Sequence, residues 1–184
     1  MRGNFKALLG LVLMGFLISG CGTIYKVARD ERSVGTQYRD EAITTAIRQK
    51  FMDDEFVEYF DISTYCYKGK VYLVGEYEKI DQKIRAITLA EQVEGVKSVT
   101  GHFLPKKKRD HCGSTDNLGL MATVKSKLIG DKDIESTNIE VKVVQCHVIL
   151  LGLVDESREI KEAIAHAKSV GGVRSVTSYL KVVK

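Results

Sequence analysis

Four cysteines and four histidines are the side chains best equipped for chemistry in this chain of 184 residues. His111-Cys112 and Cys146-His147 supply two thiols and two imidazoles, the donors zinc prefers. Neither pair has the ligand spacing of about two to four residues found in zinc sites, so no metal is assigned. The same two thiols, Cys112 and Cys146, could instead form a disulfide that staples one segment to another. Cys66 alternates with Ile62 and Thr64 and reads as a small buried core residue, whereas Cys112 and Cys146 read as accessible. The remaining histidines, His102 and His166, fall in no His-Glu-x-x-His arrangement, and no Gly-x-Ser-x-Gly, P-loop or dinucleotide glycine pattern occurs. Asp53-Asp54 has no counterpart pair elsewhere. With no nucleophile–base set in view, no catalytic residue and no cofactor is assigned, and the chain reads as non-enzymatic.

A second pattern suggests physical rather than covalent chemistry. From Asp116 to Ile129 the spacing predicts a helix in which Leu120, Val124 and Leu128 share the core-facing stripe. Leu118, Gly119, Met121, Ala122 and Ile129 then lie toward or beside solvent, interleaved with Lys125 and Lys127. Apolar groups beside lysines on an outward face suit a helix lying at the surface of an anionic bilayer. The matching earlier helix, around Ile43, Ile47 and Phe51, is expected to turn Glu41, Thr44, Thr45, Arg48 and Gln49 outward and to lack the apolar component.

The elements that position these residues come in two copies. Val71, Leu73 and Gly75 recur 77 residues later as Val148, Leu150 and Gly152. In the same gapless register Ala86, Ile87, Ala90 and Val93 recur as Ala163, Ile164, Ala167 and Val170, and Ser98-Val99-Thr100 as Ser175-Val176-Thr177. Each copy reads as an amphipathic helix, two strands joined by a turn (Tyr67 to Lys70, Val144 to His147), a second helix and a last strand. The second helix of the first copy is expected to bury Ile80, Ile84, Ile87, Ala90 and Val93. The fold class is α+β: two tandem domains, each with two helices packed on one face of a three-stranded mixed sheet. Only that one sheet face looks consistently apolar. The expected segments are a signal peptide over 1–20, a tether over 21–39, domains over 40–104 and 116–184, and a linker over 105–115 that opens on the chain's single proline.

The N-terminus has the features of a secretory signal. Arg2 and Lys6 precede an apolar run from Ala7 to Ile18 that is shorter than the roughly 20 residues a membrane span needs. The run ends in Ile18-Ser19-Gly20-Cys21, which resembles the lipobox of bacterial lipoproteins. That resemblance implies acylation of Cys21 after cleavage, and Gly22, in place of an Asp, implies sorting to the outer membrane. The net charge is +4, and without Arg2 and Lys6 it is +2, too little to argue for nucleic acid. The charge is uneven: residues 40–104 are net acidic, and Lys106-Lys107-Lys108-Arg109 makes the linker basic.

The order of elements, with Val-x-Leu-x-Gly at 71–75 and 148–152 and Gly-Val-x-x-Val at 95–99 and 172–176, resembles the BON domain. Arg32-Ser33-Val34-Gly35-Thr36-Gln37 resembles the same stretch of dual-BON outer-membrane lipoproteins of the DolP type. The resemblance implies a non-enzymatic, periplasm-facing module, lipid-anchored in the outer membrane, whose second domain binds anionic phospholipid and which supports envelope integrity. Gly119 stands where such relatives carry a large aromatic, which should weaken insertion here. The other role consistent with the sequence is an adaptor for an outer-membrane assembly factor or a cell-wall hydrolase regulator. KH domains share the helix-strand-strand-helix order, but their Gly-x-x-Gly clamp is missing, so no nucleic-acid partner is assigned.

Overall fold

The computed structural model describes residues 32–57, 61–107 and 110–183. Cys21 and the segment read as signal peptide lie outside them. Helix α1 spans Val34–Met52, and Ser33 caps it, its Oγ accepting the Thr36 backbone N–H at 3.3 Å. The helix therefore starts within the stretch read as tether. Ile43, Ile47 and Phe51, four apart, form its buried face as the spacing required. Strands β1 (Ile62–Tyr67) and β2 (Lys70–Tyr77) pair antiparallel, with Thr64 opposite Leu73 and Cys66 opposite Val71. Helix α2 (Ile80–Glu91) crosses over to β3 (Ser98–Pro105), which pairs parallel to β2. The second copy repeats this with α3 (Ser114–Gly130), β4 (Ile139–Val144), β5 (His147–Val154), α4 (Ser157–Lys168) and β6 (Ser175–Val182). Both sheets place the second strand at the centre.

Gly75 and Gly152 explain the repeated Val-x-Leu-x-Gly. A Cβ at either would lie 2.0 Å from a backbone oxygen, that of Asp61 or Asn138, where the neighbouring strand begins. The second helices also open alike. The Gln82 carboxamide oxygen accepts the N–H groups of Glu78 and Lys79, and the Glu159 carboxylate accepts those of Asp155 and Glu156. Side chains at the third helical position thus satisfy N–H groups that a helix start leaves unpaired.

In α2 the buried side chains are Ala86, Leu89 and Ala90, joined beyond its end by Val93. Ile80 and Ile84 are 53% and 56% exposed, so the expected stripe is wrong at its N-terminal end. At 3.6 residues per turn they lie roughly a third of a turn from Ala86 and Ala90. The alanines face the sheet because small side chains let a helix approach it closely, and the larger isoleucines are turned out.

The larger departure concerns the sheet faces. Val71 and Leu73 of β2 enter the helix-side core of the first domain, and Val148 and Leu150 of β5 that of the second. Their alternate neighbours, Tyr72 and Val74 on one strand and Ile149 and Leu151 on the other, pack together in a third core with Val144. Tyr65, Tyr67, Leu104 and Tyr179 border it. The two sheets are thus covered on both faces, which the mixed aromatic and polar pattern on Tyr65, Tyr67 and Lys142 had concealed. The result is four layers: helices, sheet, sheet, helices. Domains of about 65 residues bury a smaller fraction of their surface alone than larger domains do, and the shared sheet interface supplements both cores. Tyr72 and Tyr179 rings lie 5.3 Å apart across it, His102 Nδ1 meets the Tyr179 hydroxyl at 3.2 Å, and Gln145 Nε2 donates to Glu76 and to the Pro105 carbonyl at 2.7 and 2.8 Å.

Candidate membrane-contact site

Helix α3 buries Val124 and Leu128, with Leu120 partly covered, so its inner face is the expected one. Leu118 and Ile129 are 61% and 71% exposed, and Gly119 and Ala122 are exposed too. Leu118, Ala122, Lys125 and Ile129 fall at helical spacings of four, three and four, which aligns them in one stripe. Three placements differ from the sequence reading. Met121 packs partly against the second core. Lys125 Nζ meets Glu140 Oε1 at 3.0 Å, so its charge is paired. Lys127 emerges on the opposite flank, next to Leu120 rather than within the stripe. The sequence could show the lysines but not Glu140, which comes from β4, where an outward side chain beside the helix can reach it. At its N-terminal end the stripe borders a crevice of about 250 Å³, where Leu118 and Met121 look across at Asp61 and Glu76 of the first domain.

The other candidate residues, Cys112 and Cys146, are joined in a disulfide with Cα atoms 5.8 Å apart. Both are buried rather than accessible, because the segment before α3 is folded onto the β4–β5 turn. The bond consumes both thiols, leaving none for zinc, and no cluster of metal-binding side chains occurs among the described residues. The turn needs this support. Gln145 and Cys146 have φ of 49° and 59°, the left-handed region that side chains with a Cβ enter at a cost. Asn117 Oδ1 accepts the Cys146 N–H at 2.9 Å, Arg174 Nη1 donates to the Gln145 carbonyl at 3.2 Å, and the Arg174 guanidinium clasps the Asp110 carboxylate. That contact holds the Asp110 carboxyl well below the usual carboxylate range.

The first domain solves the same problem without a covalent bond. Asp40, one helical step from Arg39 on α1 and 3% exposed, occupies the position of Asn117. It accepts the N–H groups of Lys68 and Gly69 at 2.8 and 2.9 Å, the Cys66 thiol at 3.3 Å and Arg32 Nη1 at 2.7 Å. Gly69 takes φ 80° without penalty where the second copy has Cys146. Asp54, singled out with Asp53 as a paired acid, accepts the backbone of Phe56 and Val57 and the Arg85 guanidinium, which accounts for it structurally.

Residues 39–104 and 117–184 each match the BON domain. The chain belongs to the BON-domain family. It is 30% identical over 166 residues to outer membrane lipoprotein DolP of Haemophilus influenzae, a match spanning 90% of this chain and 86% of the relative. It is 31% identical to osmotically-inducible protein Y of Escherichia coli, over 85% of this chain and 79% of that one, and 26% identical to a 21 kDa hemolysin of Actinobacillus pleuropneumoniae, over 84% and 78%. It is a dual-BON protein of the DolP type, lipid-anchored in the outer membrane.

The first BON domain has a surface that the sequence reading missed. Thr44 was placed outward on α1 but is buried, its hydroxyl donating to the Asp40 carbonyl at 2.9 Å. The outer face instead presents Tyr38, 78% exposed, with Ala42 and Ala46 at successive steps of four. Together with Ile43 and Val93 they border a groove of about 810 Å³ between α1, the β1–β2 turn and the end of α2. Arg39, Lys50, Lys68 and Lys97 rim it. The signal was available as a Tyr-x3-Ala-x3-Ala spacing, but alanines weigh little in an apolar count, and the lysines come from three separate elements.

Proposed function

We propose that this dual-BON protein is a non-enzymatic module that rests its second domain on anionic phospholipid at the periplasmic side of the outer membrane and thereby supports envelope integrity. The observation that carries this reading is the exposed Leu118, Ala122 and Ile129 stripe of α3, which no sheet or helix among the described residues covers. The cation within the stripe is Lys125, already paired with Glu140, and Lys127 stands on the opposite flank, so each adds less than the roughly 1 kcal/mol of a free lysine held against an anionic surface. Leu118 and Ile129 would each add less than the roughly 1.5–3 kcal/mol of full burial, since they enter the headgroup region only in part. Gly119 offers no wedge. The contact is therefore weak on its own, and acylation of Cys21 makes it effective by raising the local concentration. A signal peptide ending at Gly20 delivers that cysteine to the acylating machinery.

Vesicle flotation of the unlipidated chain from Gly22 to Lys184 tests this. Both domains must be present, because the second alone would expose Ile149 and Leu151 and adhere to vesicles through its sheet. The parent floats with vesicles containing phosphatidylglycerol and less with purely zwitterionic ones. Leu118→Asp with Ile129→Asp abolishes flotation, and Lys125→Glu and Lys127→Glu each weaken it only slightly, because Lys125 is already paired and Lys127 stands on the opposite flank. Unchanged flotation of the Leu118/Ile129 variant would sink the proposal. Intact mass of the protein from bacterial membranes tests acylation of Cys21.

A further inference from the structure

The groove on the first BON domain has a counterpart in the second, and the two are occupied differently. In the second domain the site beside the turn and the start of α3 is filled by the chain itself. The segment 110–113 runs across it, Cys112 bonds Cys146, and the Asp110 carboxylate meets Arg174. Lys107 stands 3.9 Å from the same carboxylate. Shifting by 77 residues, Arg174 corresponds to Lys97, Gln145 to Lys68 and Lys127 to Lys50, while Asp110 corresponds to Ser33, which is consumed as the cap of α1. The backbone frame is the same in both: Lys97 N–H donates to the Gly69 carbonyl at 2.8 Å and Arg174 N–H to that of Cys146 at 2.9 Å. The first domain thus keeps two cations of this site, adds a third at Lys68, and lacks the acidic strand that fills it.

Lys50, Lys68 and Lys97 make no ion pair among the described residues. Of the acids nearby, Asp40 is committed to Arg32 and the turn, and Glu94 is the single other carboxylate on the rim among the described residues. The groove's volume lies within the roughly 300–1,000 Å³ of sites that enclose a ligand. A concave site of this size suits an inserted chain better than a flat bilayer. The chain's own preceding segment is an unsuitable occupant, because residues 22–31 carry Lys26 and Arg29 against Asp30 and Glu31 and bring no net acid.

We propose that this groove docks an acidic, extended peptide segment of a protein partner, its carboxylate held by Lys68 and Lys97 and its apolar side chains laid over Ala42, Ile43 and Ala46. The site is distinct from the α3 stripe and does not depend on it.

The test uses the full chain in zwitterionic detergent, labelled for NMR of backbone amides. Two probes are compared: a pool of blocked hexapeptides drawn from Asp, Glu, Leu and Val, and a matching pool drawn from Lys, Arg, Leu and Val. The acidic pool should shift the amides of Lys68, Gly69, Gly95 and Lys97, and the basic pool should not. Lys68→Glu with Lys97→Glu should weaken the acidic pool by about tenfold or more, as loss of charge-assisted bonds would. These lysines lie on the surface, and an unchanged amide spectrum away from the groove verifies the fold. Ala46→Asp, which keeps the lysines and spoils the apolar floor, should weaken the same pool. Shifts of equal size with both pools, no shift with the acidic pool, or undiminished binding by the charge-reversed variant would each overturn the proposal. So would perturbation of these amides by phosphatidylglycerol vesicles in place of the acidic pool, which would make the occupant a lipid.

Discussion

The two BON copies hold the same left-handed hairpin turn by opposite means. The first uses a buried carboxylate, Asp40, and a permissive glycine. The second uses a neutral Asn117, a Cys146 at φ 59° and a covalent bond to Cys112. The comparison separates two requirements that a single domain would merge. The turn's N–H groups must find an acceptor on the opening helix in either copy, whereas the charge of that acceptor matters only where Arg32 is there to meet it. The covalent solution seals its groove and the ionic solution leaves its groove open, so the choice of staple also decides which domain can receive something else.

The largest expected effect comes from removing the ionic staple. Asp40→Ala removes the acceptor of two turn N–H groups and the carboxylate partner of the largely buried Arg32 guanidinium, and should cost about 3–5 kcal/mol in urea unfolding. Asp40→Asn, which copies the second domain, should cost clearly less, and an equal cost would show that charge and not acceptance is decisive. Next comes the covalent staple. Cys112 and Cys146 are 34 residues apart, so reduction or Cys112→Ala with Cys146→Ala should cost about 2–4 kcal/mol. Cys146→Gly with Cys112→Ala should recover part of this by relieving the positive φ.

A smaller effect sits beside the first staple. Burial, then the neighbouring Asp40, pushes the Cys66 thiol up to about 12. Cys66 should resist alkylation near pH 8 in the native protein and react promptly once unfolded. Of Cys66, Cys112 and Cys146, one thiol should titrate in non-reduced denatured protein, and three would contradict the disulfide. The smallest effect is expected where the copies meet. Burial, then His147, lowers the pKa of His102. The folded protein therefore favours neutral His102, and its stability is fully present above the unfolded histidine value of about 6.5. It declines as pH falls below that value, because the unfolded chain takes up the proton first. His102→Phe should show a shallower decline in thermal melts across the same range.

Much of this was legible in the sequence. Two gapless copies, alternation in Ile62, Thr64 and Cys66, and the four-residue spacing of Ile43, Ile47 and Phe51 led to the observed elements. What escaped detection depends on partners far apart in the chain. The sheet-to-sheet core joins Tyr72 to Tyr179, and no periodicity within one strand distinguishes a tyrosine facing another sheet from one facing water. Lys125 looked free because Glu140 lies on another element. Ile80 and Ile84 were assigned inward because isoleucine outweighs alanine in hydrophobicity, although closeness of approach favoured Ala86 and Ala90.

The four-layer order also gives the molecule a polarity. Each pair of helices lies on the outside of its own sheet, and the sheets meet in the middle. On the proposed reading, in which the second domain's helices rest on lipid, the first domain's helices and the open groove would be presented on the side away from the bilayer. The paired sheets then act as a standoff of fixed thickness. They would hold the proposed peptide groove at a set height above the bilayer.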